Sequence, residues 1–324
     1  TALCAAGVVL STAGYFAGGK DFTYTSDHMY VSGGNSSSRK NLTVMKKEQI
    51  DDFTKLNVDF EDFDLDIRTS DDDHYYMEYK LEKNGRKNPL TWKDKDGELT
   101  LEESAGGSGS YYITYDLGIF STHADLTEKK DALNTVVLYI PEKAQLSEAE
   151  LQLSDGDLAA DQLLCKEMTL ELLNGDLMLD KGEFEKFDAK LSDGDLNVKE
   201  LQCTDNLQLK SGNGDVTIKK AELADGQIAL SDGDIQIDNS SFNGDMKINN
   251  SCGDVSVEMK NGSAEKTNIY LKAADGDVDT EGLSRGKTDN EEDTSVYENK
   301  AGASAPTLNV ECSDGDITLT ESEK

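Results

Sequence analysis

Carboxylates are the chemically capable groups of this chain, and many of them recur at a fixed spacing. A Gly-Asp pair followed by an aliphatic residue occurs at Gly156-Asp157-Leu158, Gly175-Asp176-Leu177, Gly194-Asp195-Leu196, Gly214-Asp215-Val216, Gly233-Asp234-Ile235, Gly253-Asp254-Val255, Gly276-Asp277-Val278 and Gly315-Asp316-Ile317. Successive glycines are 19, 19, 20, 19, 20, 23 and 39 residues apart, the last gap being close to two periods. If the repeats stack, Asp157, Asp176, Asp195, Asp215 and Asp234 line one edge, with Asp155, Asp193 and Asp232 beside them. Such a rail suggests Ca2+, which takes about 6 to 8 oxygen ligands and is held by Gly and Asp turns in some β-rolls. The competing reading is that each Asp accepts backbone N–H groups in its turn and otherwise faces water. These turns lack the longer Gly-Gly-x-Gly-x-Asp-x spacing, and bare carboxylates in a row repel. The turn-forming role is therefore expected, with no metal or cofactor. Asp155, Asp157, Asp193, Asp195, Asp232 and Asp234 are the weak candidates for a low-affinity Ca2+ association.

Other reactive groups are sparse. His28, His74 and His123 are scattered, and neither an HExxH, a G-x-S-x-G nor a CxxC spacing is present. Arginine occurs only at Arg39, Arg68, Arg86 and Arg285, which leaves a polysaccharide lyase without basic partners along the repeats. A glycoside hydrolase needs only two facing carboxylates, so a carbohydrate-active enzyme is the third reading, behind a non-catalytic module and a Ca2+-dependent surface adhesin. An aromatic cluster (Tyr75, Tyr76, Tyr79, Trp92, Tyr111, Tyr112 and Tyr115) precedes the repeats. Most of its rings are expected to cap an open sheet end, and stacking on a sugar or peptide is the alternative.

Elements that would position these groups follow from the columns around the glycine. Two residues after it stand Leu158, Leu177, Leu196, Val216, Ile235, Val255, Val278 and Ile317, and four after it Ala160, Leu179, Val198, Ile218, Ile237, Val257, Thr280 and Leu319. Five before it stand Leu151, Leu170, Ala189, Leu209, Ile228, Ile248, Leu271 and Val310. Polar residues alternate with these, so each strand has one inward and one outward face. One coil of this length cannot bury its apolar face alone, whereas stacked coils build a continuous aliphatic core. The expected fold is all-β: a β-solenoid, similar to a single-stranded β-helix, of about eight coils of 19 or 20 residues. An extra pair, Gly244-Asp245-Met246, hints that each coil has two similar halves. Cys165 and Cys203 share a column with Phe184, Leu223 and Phe242, so they are expected to be buried two coils apart, too far to bridge. Cys312 falls in the column of Leu153, Leu172, Leu191 and Leu230, Cys252 sits at a turn, and no disulfide is expected.

Four segments are expected along the chain. Residues 1–19 carry no charge and resemble a short apolar helix, the outer part of a membrane span, with a cleaved signal as the alternative. Residues 20–55 are polar and read as a juxtamembrane linker, with a faint helical period at Lys46 to Phe53. Residues 56–150 are a β region that caps the solenoid, and residues 151–324 are the repeats, interrupted by a polar insertion at 282–306 that would join the last coil through a loose excursion. The 324 residues carry 32 Lys plus Arg against 65 Asp plus Glu, a net charge of -33, which disfavours nucleic acid and anionic lipid headgroups as partners.

Taken together, Leu56-Asn57-Val58, Leu65-Asp66-Ile67, Leu99-Thr100-Leu101, Val136 to Pro141 and the Ser-Asp-Gly-Asp turns at 154–157, 192–195, 231–234 and 313–316 resemble the DUF4097 family of candidate adhesins. The resemblance implies a single membrane-spanning segment ahead of an extracytoplasmic β-solenoid, a non-catalytic binding, scaffold or envelope-stress sensing role, and an envelope or surface ligand that is a protein, peptide or glycan. It carries over no catalytic residue.

Overall fold

The computed structural model describes residues 22–24, 29–31, 42–105, 133–280, 283, 286–291 and 294–322. Two short strands, β1 (Phe22–Tyr24) and β2 (Met29–Val31), pair antiparallel. They belong to a small unit of Thr1–Thr43, Leu81–Pro89 and Ser104–Leu133. Within it, the Arg86 guanidinium donates to the Ser104 carbonyl at 2.8 Å. The second unit, Val44–Lys80, Leu90–Glu103 and Asn134–Lys324, holds the repeats. Its strands begin with β3 (Leu42–Gln49), β4 (Lys55–Phe60), β5 (Asp64–Ser70), β6 (Tyr76–Glu82), β7 (Leu90–Lys95), β8 (Glu98–Glu103), β9 (Thr135–Pro141) and β10 (Leu146–Leu153). The repeats proper contain β11 (Leu158–Asn174), β12 (Leu177–Asp193), β13 (Leu196–Asn213), β14 (Val216–Lys219), β15 (Ala221–Asp232), β16 (Ile235–Phe242), β17 (Met246–Cys252) and β18 (Val255–Met259). The chain closes with β19 (Asn268–Asp275), β20 (Val278–Asp279), β21 (Lys287–Glu291), β22 (Thr294–Asn299), β23 (Thr307–Asp314) and β24 (Ile317–Glu321).

The repeats form a parallel β-solenoid in the register the glycine columns specify. Leu158 pairs with Leu177, Leu177 with Leu196, Leu196 with Val216, Val216 with Ile235 and Ile235 with Val255. Each coil has three inward runs, not two halves. In β11 the buried residues are Leu158 and Ala160, then Leu163 and Cys165, then Met168, Leu170 and Leu172. The period of two breaks by three-residue steps at 160 to 163 and 165 to 168, and at each break the strand turns a corner. The extra Gly244-Asp245 lies between the second and third runs of its coil, which is why it falls near mid-period.

Packing is balanced column by column. Phe184 and Phe187 stack with centroids 4.7 Å apart. Phe184 is flanked on adjacent rungs by the smaller Cys165 and Cys203, and Phe187 by the unbranched Met168 and by Leu207. A side chain at Gly182 would collide with the Phe184 ring and Leu179. On the outside, lysines meet carboxylates one rung away, as in Lys186 with Glu167 at 3.0 Å and Lys220 with Glu200 at 2.7 Å.

Both ends depart from chain order. The C-terminal strands β23 and β24 lie between two earlier coils: Ile248 pairs with Val310, Val310 with Leu271, Val255 with Ile317 and Ile317 with Val278. The last coil in the sequence is thus the second rung from the end, and the stretch expected to be a loose excursion instead contributes the paired strands β21 (Lys287–Glu291) and β22 (Thr294–Asn299). Strand β22 pairs antiparallel with β19 and covers the terminal rung. The other end is built alike. Strands β4 and β5 form a rung flanked by β10 and β11 on one side and by β8 and β9 on the other. Antiparallel β7 and β6 then cover β8 and β9. A parallel stack leaves an open row of N–H and C=O groups at each end, and the antiparallel strands occupy it.

Two boundaries shift accordingly. The opening strands contribute rungs of the solenoid rather than only a cap. Residues 42–55 are not a spacer throughout: Leu42–Gln49 is a strand that takes in part of the helical period expected at Lys46 to Phe53, and Phe53 is buried at 1% exposure. No helix among the described residues is long and apolar enough to cross a membrane. Residues 1–19, with the expected apolar helix, lie outside the described residues.

Candidate functional site: an aspartate ladder and an aromatic cap face

At the Gly-Asp corner, the chain turns where the ladder leaves one backbone N–H per rung pointing along the stack. The carboxylate of the rung below takes it. Asp157 N donates to Asp64 Oδ1 at 3.0 Å, Asp176 N to Asp157 Oδ1 at 3.0 Å, Asp195 N to Asp176 Oδ1 at 2.8 Å and Asp215 N to Asp195 Oδ1 at 2.8 Å. The series continues from Asp234 N to Asp215 Oδ1 at 2.9 Å and from Asp254 N to Asp234 Oδ1 at 2.8 Å. It ends with Asp316 N on Asp254 Oδ1 at 2.9 Å and Asp277 N on Asp316 Oδ1 at 2.8 Å, tracing the same exchanged rung order as the strands. From Asp157 onward glycine precedes each Asp because the rungs touch there. Gly194 sits at φ +141, and a methyl group on it would meet the Gly175 carbonyl oxygen. The ladder begins one rung before the first Gly-Asp pair, at Phe63-Asp64, which carries no glycine and which the repeat pattern did not reveal.

The sequence-derived cation candidates are therefore engaged by the fold. Asp157, Asp195 and Asp234 accept from the next rung, Asp155 accepts from Asn174 Nδ2 at 2.6 Å, and Asp193 accepts from Asn213 Nδ2 at 2.6 Å. Asp232 is exposed in the same column, and its carbonyl accepts from Gly214 N at 3.1 Å. A shorter acid ladder runs along another corner, from Asp245 N to Asp225 Oδ1 at 2.7 Å and from Thr307 N to Asp245 Oδ1 at 2.9 Å. Among the described residues no group of three or more His, Cys, Asp or Glu side chains is placed to hold a metal ion. Cys165, Cys203, Cys252 and Cys312 are free thiols, of which only Cys252 is exposed. Burial pushes the Cys165 thiol up to about 12. His74 is exposed, while His28, His123 and Cys4 lie outside the described residues.

The aromatic cluster divides. Tyr75 is buried against Phe53, with centroids 4.8 Å apart, and serves the core. Trp92 stands 38% exposed on β7, Tyr76 and Tyr79 are half-buried on β6, and Tyr111, Tyr112 and Tyr115 lie outside the described residues. Tyr76 belongs to an outward row of three strands in which Arg68 on β5 faces Tyr139 on β9, and Tyr139 faces Tyr76 on β6. The Tyr139 hydroxyl donates to Glu78 Oε1 at 2.7 Å, and the Tyr76 hydroxyl donates to Asp72 Oδ2 at 2.7 Å. Arg68 is clamped to Asp66 Oδ2 at 2.6 and 3.0 Å. Lys47 of β3 places its Nζ 3.6 Å from the Tyr139 ring centroid and 5.0 Å from that of Tyr76. Partial burial and the hydrogen bond to Glu78 push the Tyr139 phenol up to about 12, so it stays neutral at physiological pH. The tyrosyl hydrogen bond and the His74 backbone N–H hold the Asp72 carboxyl below its usual range. The row was invisible in the sequence because its members come from strands far apart in the chain. Tyr139 offered one clue, an outward position in Val136-Val137-Leu138-Tyr139-Ile140.

Comparison with known proteins places this architecture. The family described as Toastrack DUF4097 matches residues 53–320. No curated protein matches the chain. Among solved structures, a candidate adhesin from Parabacteroides merdae is 15% identical, with 90% of this chain and 98% of that one covered and a TM-score of 0.44. A candidate lipid-binding protein from Parabacteroides distasonis is 12% identical over 88% and 98% of the two chains, with a TM-score of 0.46. A candidate cell adhesion protein from Clostridium sporogenes is 17% identical over 86% and 100%, with a TM-score of 0.23.

Proposed function

The chain belongs to the Toastrack DUF4097 family, and from that premise we propose that it is a non-catalytic binding or scaffold module of the bacterial envelope, tethered to the membrane through residues 1–19 with its solenoid on the extracytoplasmic side. One observation carries the non-catalytic reading: the regularly spaced carboxylates, the groups best suited to acid–base or metal chemistry, act as acceptors for the backbone of the neighbouring rung. A group committed to the ladder is held in place and poorly suited to shuttle protons. What the solenoid offers a partner is a rigid surface of outward side chains on parallel strands, backed by a continuous core. An acidic surface with a net charge of -33 favours neutral or cationic partners over anionic ones.

The test has two arms. The immobilised full chain is exposed to envelope glycans, peptides and surface proteins; saturable retention of chemically unaltered ligand supports the reading, and release of cleaved product overturns it. Exposed Cys252 then reports on location. A membrane-impermeant maleimide should label it in intact cells, and Cys252→Ser should remove that label. Labelling that appears only after lysis would place the solenoid on the other side of the membrane.

A further inference from the structure

Strand β3 is held with no buried side chain of its own. None of its residues from Leu42 to Gln49 is buried, and Val44 is 59% exposed. The chain re-enters the core only at Ile50, whose N–H donates to the Tyr75 carbonyl at 3.0 Å, and at Phe53. The strand is docked by its pairing to β6 and by Lys47, whose exposed ammonium rests over the two half-buried rings of Tyr139 and Tyr76. A strand without a buried anchor is the kind of element that opens locally while the rest stays folded.

The rings beneath Lys47 are set up to receive a cation. Each phenol donates to a carboxylate, Tyr139 to Glu78 and Tyr76 to Asp72, which draws negative potential toward the ring faces. The nearby Arg68 guanidinium is positive, and its charge is met by Asp66 at 2.6 Å. A lysine ammonium is compact and strongly hydrated, so it gives up more water to lie on a ring than a quaternary ammonium does. The chain's own Lys47 therefore acts as a stand-in ligand of the right charge but not of the best chemistry.

We propose that Tyr76 and Tyr139 form an ammonium-binding site, kept filled by Lys47 of the displaceable strand β3, and that a ligand bearing a quaternary ammonium group exchanges with Lys47. The site gives the binding-module reading a ligand chemistry and rests on that reading. The exchange is a competition. Affinity for the ligand is reduced by the fraction of time Lys47 is in place, and occupancy of the site loosens β3 from β6.

The experiment titrates the full chain with choline, with Nα-acetyl-lysine amide and with uncharged tert-butanol, reading tyrosine ring signals by NMR and amide exchange of residues 42–49. Choline should bind saturably and more tightly than the lysine amide, and tert-butanol should not saturate. Lys47→Met, which keeps the aliphatic stem, should tighten choline binding by roughly ten-fold, and Tyr139→Leu should abolish it. In the unsubstituted chain, choline should speed exchange in β3. The proposal is overturned if Lys47→Met leaves the affinity unchanged, if tert-butanol binds as well as choline, or if binding survives Tyr139→Leu in a chain whose melting temperature is preserved. A lysine amide that outcompetes choline would overturn the quaternary preference. Failure of these titrations with the retention assay intact would sink the site and leave the module reading standing.

Discussion

The Gly-Asp corner and the β3–β5–β6–β9 face are both lined with charged groups, yet they hold them in opposite ways. At the corner, one residue pair recurs on rung after rung, Asp Oδ1 atoms from Asp64 to Asp316 are each taken by the backbone N–H of the adjacent rung, and the backbones approach so closely that a side chain on the glycine has no room. On the cap face each residue occurs once, the contacts run between side chains, and the strand that carries Lys47 buries nothing. Repetition thus marks where the backbone has no freedom. The chemistry open to a partner sits where the pattern stops.

The largest effect expected is at the corner backbone. Gly194→Val would place a branched side chain at φ +141 against the Gly175 carbonyl, and backbone strain and steric overlap together should destabilise the unit by roughly 5 kcal/mol or more. Outward Lys199→Ala in the same coil should fall within about 0.5 kcal/mol. Comparable melting temperatures for the two would show that the corner is looser than its geometry implies. Phe187→Ala comes next. It removes a buried ring stacked on Phe184 and should lower stability by about 3 to 5 kcal/mol in denaturant unfolding.

Smaller effects separate the two regions more finely. Asp195→Ala deprives Asp215 N of its acceptor and should lower stability by about 1 kcal/mol, whereas Asp195→Asn keeps an acceptor oxygen, removes one of many like charges and should be neutral or stabilising. Destabilisation by both would mean that the negative charge itself is required, which would revive the Ca2+ reading for the ladder. On the cap face, Tyr139 titrates at about 12 instead of 10. Because the folded state favours the neutral phenol, its contribution is fully present below pH 10 and is lost as pH rises toward about 12. Burial also raises the Tyr75, Tyr79 and Tyr297 phenols, and the hydrogen bond to Asp72 raises that of Tyr76, so absorbance at about 295 nm during an alkaline titration should show a late-ionising fraction that Tyr139→Phe reduces by one tyrosine. The gentlest probe is salt. Raising ionic strength should raise the melting temperature by a few degrees, on the order expected when a net charge of -33 is screened.

Much of the solenoid was legible because each coil repeats the same constraint. Leu158, Leu179 and Leu170, from the three glycine-aligned columns, are buried where alternation put them, and Asp157 to Asp234 fall on one edge. Legibility failed where a partner was distant or unique. Nothing in the run from Thr307 to Thr320 says that it lies between Val255 and Val278 rather than after them, since every coil presents the same inward rows to either neighbour. The three runs per coil were hidden because a three-residue step at a corner breaks the period only briefly. The Lys47, Tyr76 and Tyr139 assembly left almost no trace, because three residues on three strands need a fold before they are neighbours.

Local backbone demands are written in the residue types themselves. Glycine where rungs touch, aspartate where a stray N–H needs an acceptor, and aliphatic residues every second position each answer a need felt within a few residues, and so the amino-acid order settled the coil, its register and its acidic edge. The order of the end rungs, the antiparallel strands that close them and the cation seated over two tyrosines depend on pairings between segments far apart in the chain. Interchangeable coils make those pairings nearly equivalent locally, and only their competition in the assembled stack selects one.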